Sequence, residues 1–452
     1  MAVLEQTYRY LQPSEVRLSG DQTDVLLATS GGRSPEQAEE HPHFFDGLLG
    51  HAEQAAVALL ACARVARTRY YMPPGMVAAR IRAADPVVTS NGDRMRFESF
   101  SACCGVYARF DLLPSALDRA PVSTGTTNVD FNPPMREALA RIGGLEPLHL
   151  QVGMEEVTVR TLDSQVAERK VPLPERWLKG FAEVQGMAAH MEPVAELTGI
   201  EARRFVRSLP RSARRPLWAV PSGRSLRLTS WQTPQAAFLA GPERLRALEP
   251  LVRFATGVRV YGEAVDEGRD TAASAWELLC QDARFVVVLS PEVSRGFSGE
   301  GGVLLDLSDE RASRDADLVS ALLAWEPRID IDRLAAEAAI TRDRVIRALA
   351  HLGAAGRVGY DLAEGSYFHR ELPYDPAVLE AMHPRLRDAR ALVDSGAVTL
   401  TEEGALVRSG GMVYRVSFSG NGGRCRCPWW GKHRGSRGPC KHVLAASLAR
   451  RP

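Results

Sequence analysis

The sequence predicts a multidomain α+β protein. Its parts are a mixed α/β N-terminal region, a compact helical middle domain and a small strand–strand–helix module at the C-terminus. Three observations lead there. The chain has 452 residues, which at roughly 100–200 residues per domain means two to four domains. From residue 1 to about 310, β-like and helical runs interleave without a regular period. After Arg311 the pattern becomes helical, and from about residue 397 it turns into paired strands that run into a cysteine cluster.

Composition limits the function classes. Hydrophobic residues make up 45% and charged residues 25%, as in an ordinary folded protein. Net charge is +1, so any affinity for nucleic acid or membrane must come from local charge. Lys170, Lys179, Lys432 and Lys441 are the four lysines, which leaves 52 of the 56 basic residues as Arg (56 − 4). A GC-rich genome produces that bias, so an Arg cluster here says less than usual. The start, MAVLEQTYRY, has neither a basic n-region nor an apolar h-region. The apolar run Ala55 to Ala66 is too short to span a bilayer and contains Arg64, so it reads as a buried helix. The expectation is a cytoplasmic protein without membrane contact. Thiols stay reduced there, and clustered cysteines favour metal over disulfides.

In the N-terminal region, DVLLATS, LHLQVGMEEVTVRTL, SLRLTSW and ARFVVVLS read as strands. PPMREALARI and GPERLRALEPLVRFA read as helices. The polar stretch SLPRSARRP suggests a break between two subdomains near 185–215. Residues 311–375 read as a winged helix-turn-helix-like domain of three helices and a hairpin. In the first helix Leu318, Val319, Leu322 and Leu323 share a face. Thr341 caps the third helix, and Gly353 ends it. GRVGYDL and SYFHREL then form two strands about the turn AEG. Residues 376–396 are a linker and helix, and 397–452 the terminal module.

That module contains three of the seven cysteines and two of the ten histidines. The spacing is Cys425-x-Cys427, twelve residues, then Cys440-x-His442. Three thiolates and one imidazole fill a tetrahedral zinc shell and leave no open position, so the single Zn2+ is structural. The second pair follows Pro439 at a helix start, where the dipole favours thiolate. His433 is a competing ligand for the fourth position.

This pattern, with strands before it and a short helix after it, resembles the SWIM-type zinc finger over about residues 395 to 450. That motif is shared by bacterial proteins, chromatin-remodelling ATPases and plant transposases. The resemblance implies Cys425, Cys427, Cys440 and His442 as ligands, and contact with DNA or with proteins. The whole architecture also resembles bacterial SWIM zinc finger family proteins. Some of these occur beside MoxR-type ATPases and von Willebrand factor A proteins, which implies an accessory role.

The leading expectation is a finger that contacts nucleic acid, DNA before RNA. Arg424, Arg426, Lys432, Arg434, Arg437, Lys441, Arg450 and Arg451 supply positive charge, and Trp429 and Trp430 offer a stacking face. Arg342, Arg344 and Arg347 on the third middle-domain helix would assist. The bland reading is that the tryptophans form the finger core and the arginines reflect codon bias. The alternatives are a protein-interaction adaptor and an unrecognised enzyme in residues 1–310.

Other features read as structural. SRGFSGEGG lacks the Lys-Ser/Thr ending of a P-loop and precedes the strand-like VLLDL, so it is a turn. GTTNVDFNPP presents Asn128 and Asp130 but reads mainly as the cap of a helix starting at Pro134. Cys103 and Cys104 lie in a strand-like apolar setting. HPHFFDG reads as a loop, and Arg203 to Arg215 as a solvated face and loop. No catalytic constellation emerges.

Overall fold

A computed structural model describes the chain apart from residues 1–5, 11–12, 20–21, 31, 34–37, 40–41, 73–84, 144–147, 154–168, 174, 214, 234, 264–270, 373–382, 420–421 and 451–452. Helices and sheets are mixed along it, as the interleaved sequence pattern requires. The expected strand after Val152, residues 376–382 of the linker, Arg214 and Arg451 lie outside the described residues, whereas the linker's helix is present as Pro384–Asp394.

A ten-stranded antiparallel sheet dominates the first 300 residues. In spatial order its strands are Met191–Thr198, Gly257–Glu263, Ser274–Cys280, Ala283–Leu289, Val106–Leu112, Met95–Phe100, Val87–Ser90, Gly125–Asn128, Gly32–Arg33 and Ala38–Glu39. It passes through strands from both sides of residues 185–215. A second sheet holds Glu15–Ser19, Gln22–Leu27, Leu148–Val152 and Phe45–Leu49, with Leu148–Val152 parallel to Gln22–Leu27. The helix Ala52–Arg67 covers one face of the large sheet and buries Leu59, Cys62 and Val65 with Phe97 and Phe110. As expected, it is a buried helix. No helix among the described residues is long and apolar enough to cross a membrane.

The two faces of the large sheet differ because side chains alternate. Phe97, Phe110 and Phe285 join the apolar core. Arg96, Glu98, Arg109, Asp111, Glu277 and Arg284 form the other side, and all are buried. In register, Arg96 pairs across from Asp111, and Glu98 across from Arg109. Charges this deep require partners, since desolvation costs several kcal/mol per ion.

Part of the cover comes from residues 310–372. Three helices, Glu310–Ser320, Ile331–Glu337 and Arg342–Ala354, precede an antiparallel hairpin of Val358–Asp361 and Ser366–His369. Val319, Leu334, Val345, Leu349 and Leu352 form its core. The first helix buries Ala312, Asp315, Ala316 and Val319, whereas Leu318 is 44% exposed, so the expected four-residue apolar face is rotated. The third helix also does not end at Gly353. It runs to Ala354 and is closed by Gly356, whose φ is +73°, with Gly356 N–H bonded to Gly353 O and Arg357 N–H to Leu352 O. Gly353 instead provides close approach, because a Cβ there would lie 2.3 Å from the Gln185 side chain.

The hairpin closes the charged face. The Asp361 carboxylate accepts from Arg96 at 3.2 Å and Arg284 at 3.0 Å, and lies 3.1 Å from Arg109 Nη2. Arg370 donates to Glu98 at 2.6 Å. Burial alone would raise the Asp361 carboxyl, but Arg109, Arg284 and Arg96 hold it well below the usual carboxylate range.

Several local expectations change. GPERLRALEPLVRFA forms two 3-10 segments, Pro242–Leu248 and Val252–Phe254, because Pro250 interrupts a longer helix. VLLDL is a helical turn, Leu304–Leu307, and not a strand. Cys103 and Cys104 occupy the turn between two strands, with Cys104 at φ +56°. Asn132 caps the helix Pro133–Leu139 by accepting from Met135 N–H at 3.0 Å, one residue before the expected start.

Candidate metal centre

The finger is built from a four-stranded antiparallel sheet, Val398–Thr401, Gly404–Ser409, Met412–Ser419 and Gly422–Cys425, and two helices, Pro428–His433 and Lys441–Arg450. It is larger than the strand–strand–helix unit expected. The strand Gly422–Cys425 and the helix Pro428–His433 escaped the sequence reading because Gly, Pro and Trp carry little periodicity. Ala405, Val407 and Val416 pack with Val443 and Ala446 of the last helix, and the three cysteines complete that core.

The end of the fourth strand delivers Cys425. Cys427 is the N-cap of the next helix and accepts from Trp430 N–H at 3.4 Å. Cys440 precedes the last helix and accepts from Val443 N–H at 3.4 Å. His442 sits in that helix's first turn, with Nδ1 3.8 Å from Cys425 Sγ. Its ring stacks on Tyr414 at 4.2 Å. All four ligands are buried, and their ligand atoms lie within 4.8 Å of one another. Around a tetrahedral zinc with bonds of about 2.0–2.3 Å, donor atoms sit about 3.3–3.8 Å apart.

The donor set explains why a cation belongs there. The hydrogen bond to Cys425, with burial, pushes the Cys440 thiol up to about 12, and burial raises Cys427. Three neighbouring thiols do not all ionise without a positive charge between them. A divalent metal reverses that balance and deprotonates them. Three sulfurs and one nitrogen suit zinc and close its shell, so the centre fits one structural Zn2+. His433 stands outside the cluster and packs its ring against Trp429 at 4.4 Å.

The basic residues named from sequence separate into two groups. Arg424, Arg426, Lys432 and Arg434 are exposed. Arg437 turns inward, donates to Gly299 O at 2.7 Å and lies over the Trp429 ring at 5.1 Å. Arg385 covers the same ring at 4.6 Å. Lys441 Nζ lies 3.8 Å from Asp388, and Arg450 lies over Phe418. Trp429 and Trp430 are both half-buried against the finger core. On the third middle-domain helix, Arg342 pairs with Asp332 and Arg344 grips Asp315 through two bonds, while Arg347 is exposed.

The glycine-rich stretch acquires a role that its sequence did not reveal. Residues 299–302 receive the finger loop, and a Cβ on Gly438 would lie 1.9 Å from Gly301 O. Arg385 donates to Glu300 O at 2.8 Å from the finger side of this seam.

These features define a protein with a structural zinc module. The SWIM zinc finger family matches residues 414–451, and the Cys-x-Cys and Cys-x-His ligands fall inside that span. No curated protein matches the chain. Among solved structures, the crystal structure of Proliferating Cellular Nuclear Antigen from Entamoeba histolytica is similar at 8% identity. The match covers 55% of this chain and 98% of that one with a TM-score of 0.35, a likeness too slight to define the fold.

Proposed function

We propose that the finger contacts nucleic acid through a basic surface that the zinc holds in shape. One observation carries this reading. From Gly404 to Arg450 the chain has nine Lys or Arg and no Asp or Glu, and Arg424, Arg426, Lys432 and Arg434 project from the zinc module into solvent. Such a surface releases counterions from a phosphate backbone on binding. DNA ahead of RNA follows from the SWIM resemblance alone. Residues 311–375 are read as winged-helix-like, with three helices and a hairpin. Two of the three helix arginines are tied to Asp332 and Asp315, and the hairpin is packed on the large sheet. This supports a seating role for the module more than a DNA-reading one.

A protein adaptor is the second reading, in which the chain serves a multi-component bacterial system of the MoxR ATPase and von Willebrand factor A type. Met412 and Val413, 58% and 60% exposed at a hairpin turn of the finger, favour it. An enzymatic N-terminal region draws less support. The buried charges of the large sheet pair with one another. The cavity beside Glu98, Tyr107 and Arg370, at about 10 Å³, has room for about one water, and the open cleft of about 370 Å³ beside Arg64, Arg67 and Arg136 has a single carboxylate, Glu137, in its lining.

The test is fluorescence anisotropy of labelled DNA and RNA with the full-length protein and with Arg426→Ala/Lys432→Ala/Arg434→Ala, across a salt series. Binding with a steep salt slope that this variant reduces supports the reading. Absence of binding at low salt sinks it and moves the search to protein partners.

A further inference from the structure

The finger sheet has one face covered by the last helix and one face open. Ala405, Val407 and Val416 point to the covered side, so Leu406, Arg408, Val413, Arg415 and Ser417 point to the open one. The strand register then fixes where the charges fall. Arg408 stands opposite Val413, Leu406 opposite Arg415, and Ser417 opposite Arg424. Arg415 is therefore the diagonal neighbour of Arg408 on one side and of Arg424 on the other. Diagonal neighbours in an antiparallel sheet are about 7–8 Å apart. Three arginines from three successive strands form one straight row across the open face.

No sequence periodicity announces this row, because its members are seven and nine positions apart in the chain. Each is exposed. Arg408 makes a long bond to Gly396 O at 3.4 Å, and Arg415 pairs with Glu403 in the adjoining turn. Exposed pairs of that kind are worth little and exchange readily for another anion. Leu406 and Val413 share the face, 39% and 60% exposed, and the arginine side chains are longer than either.

The chemistry of the face separates two kinds of polyanion. Single strands are held by stacking of bases on open aromatic rings, together with charge. The finger's aromatic rings are otherwise engaged: Tyr414 on His442, Phe418 under Arg450, Trp429 under Arg385 and Arg437. Trp430 packs on the finger core. What the open face offers is a straight, regularly spaced line of bidentate phosphate donors. Its spacing is comparable with that of successive phosphates along one nucleic-acid strand.

We propose that the row Arg408, Arg415 and Arg424 binds the phosphate backbone of a nucleic-acid duplex, which makes the finger a duplex binder with little base preference. This rests on the reading that the finger contacts nucleic acid, and specifies what it takes and where.

The experiment uses the full-length protein with a labelled 30-base-pair duplex and its single strand, each in two unrelated sequences, over a salt series. The variants are Arg408→Ala/Arg415→Ala/Arg424→Ala and the matching triple Lys change, each checked for zinc content. The expected result is tighter binding to both duplexes than to either single strand. The Ala triple should flatten the duplex salt slope by about 2–3, near 0.9 for each phosphate no longer neutralised. The Lys triple should keep most of that slope. An Ala triple with an unchanged slope overturns the row. So does single-strand binding as tight as duplex binding that Trp430→Ala weakens. In both cases the finger would still be a nucleic-acid module, provided that Arg426→Ala/Lys432→Ala/Arg434→Ala lowers affinity. No binding by the intact protein overturns the row and the broader reading together.

Discussion

The guanidinium of Arg385 donates to the main-chain carbonyl of Arg437 at 2.7 Å. It also donates to Pro439 O at 2.9 Å and to Glu300 O at 2.8 Å. One side chain on the helix Pro384–Asp394 thus ties the finger loop to the glycine-rich loop of the N-terminal region. Arg385→Ala leaves three carbonyls without this donor, and the expected cost is about 2–4 kcal/mol. Limited proteolysis should reveal new cleavage within 434–440 while zinc content is retained. An unchanged melting temperature and digest would show that the seam does not depend on Arg385.

Zinc removal should reach beyond the finger. The ligating cysteines are part of its apolar core, so chelation or Cys440→Ser removes both the metal and the packing. Hydrogen exchange is expected to rise across 404–450 and also across 295–302, where Gly438 and Arg437 are seated. The strands Met95–Phe100 and Val106–Leu112 should stay protected. Acid acts in the same direction, because thiols bind zinc as thiolates and protons compete for them. Protection of 404–450 unchanged after chelation would contradict a structural role for the metal.

Asp361→Asn tests the charged layer. The substitution preserves shape but removes the negative charge shared by Arg96, Arg109 and Arg284. Breaking a buried ionic group by removing one partner costs about 3–5 kcal/mol. The urea midpoint should fall accordingly, and the hairpin Val358–His369 should exchange faster than the large sheet. A loss under about 0.5 kcal/mol, the scale of a surface substitution, would mean that water has replaced the missing partner.

Glu183 sets a pH dependence. Burial, with repulsion from Glu300, pushes its carboxyl up to about 8 from an ordinary 4.5. The folded state therefore holds a proton that the unfolded state releases above pH 4.5. This contribution to stability is fully present below pH 4.5 and declines as pH rises through 8, by roughly 5 kcal/mol at most. Glu183→Gln keeps an acceptor for Gly302 N–H, which Glu183 now meets at 3.0 Å. Melting temperatures from pH 5 to 8 should fall less steeply in this variant than in the parent. Parallel curves would mean that Glu183 is ionised in the folded protein.

The zinc ligands were legible in the sequence because metal chemistry is local. Cys425-x-Cys427 and Cys440-x-His442 place their atoms through one strand end and two helix starts, whatever surrounds them. The buried helix Ala52–Arg67 and the paired strands of the finger were legible for a similar reason. Apolar periodicity and turn residues act within a few positions. Gly353 shows the limit of such rules. Read locally it ends a helix, but its missing side chain makes room for Gln185, and Gly356 does the terminating.

The charged layer and the arginine row depended on the tertiary structure. Arg96, Arg109, Arg284 and Asp361 are hundreds of residues apart at the extremes, and nothing in their neighbours says that they meet. Arg408 and Arg415 were passed over, although the sequence contains them as plainly as Arg424. Trp429 shows the opposite effect, since Arg385 and Arg437 cover the ring that its sequence context offered for stacking. Chain-local forces choose helices, turns and metal ligands, and those forces are written in neighbouring residues. Which side chains are buried together, which face stays open and which charge is already paired depend on strand register and packing between distant segments. Only the folded chain settles them.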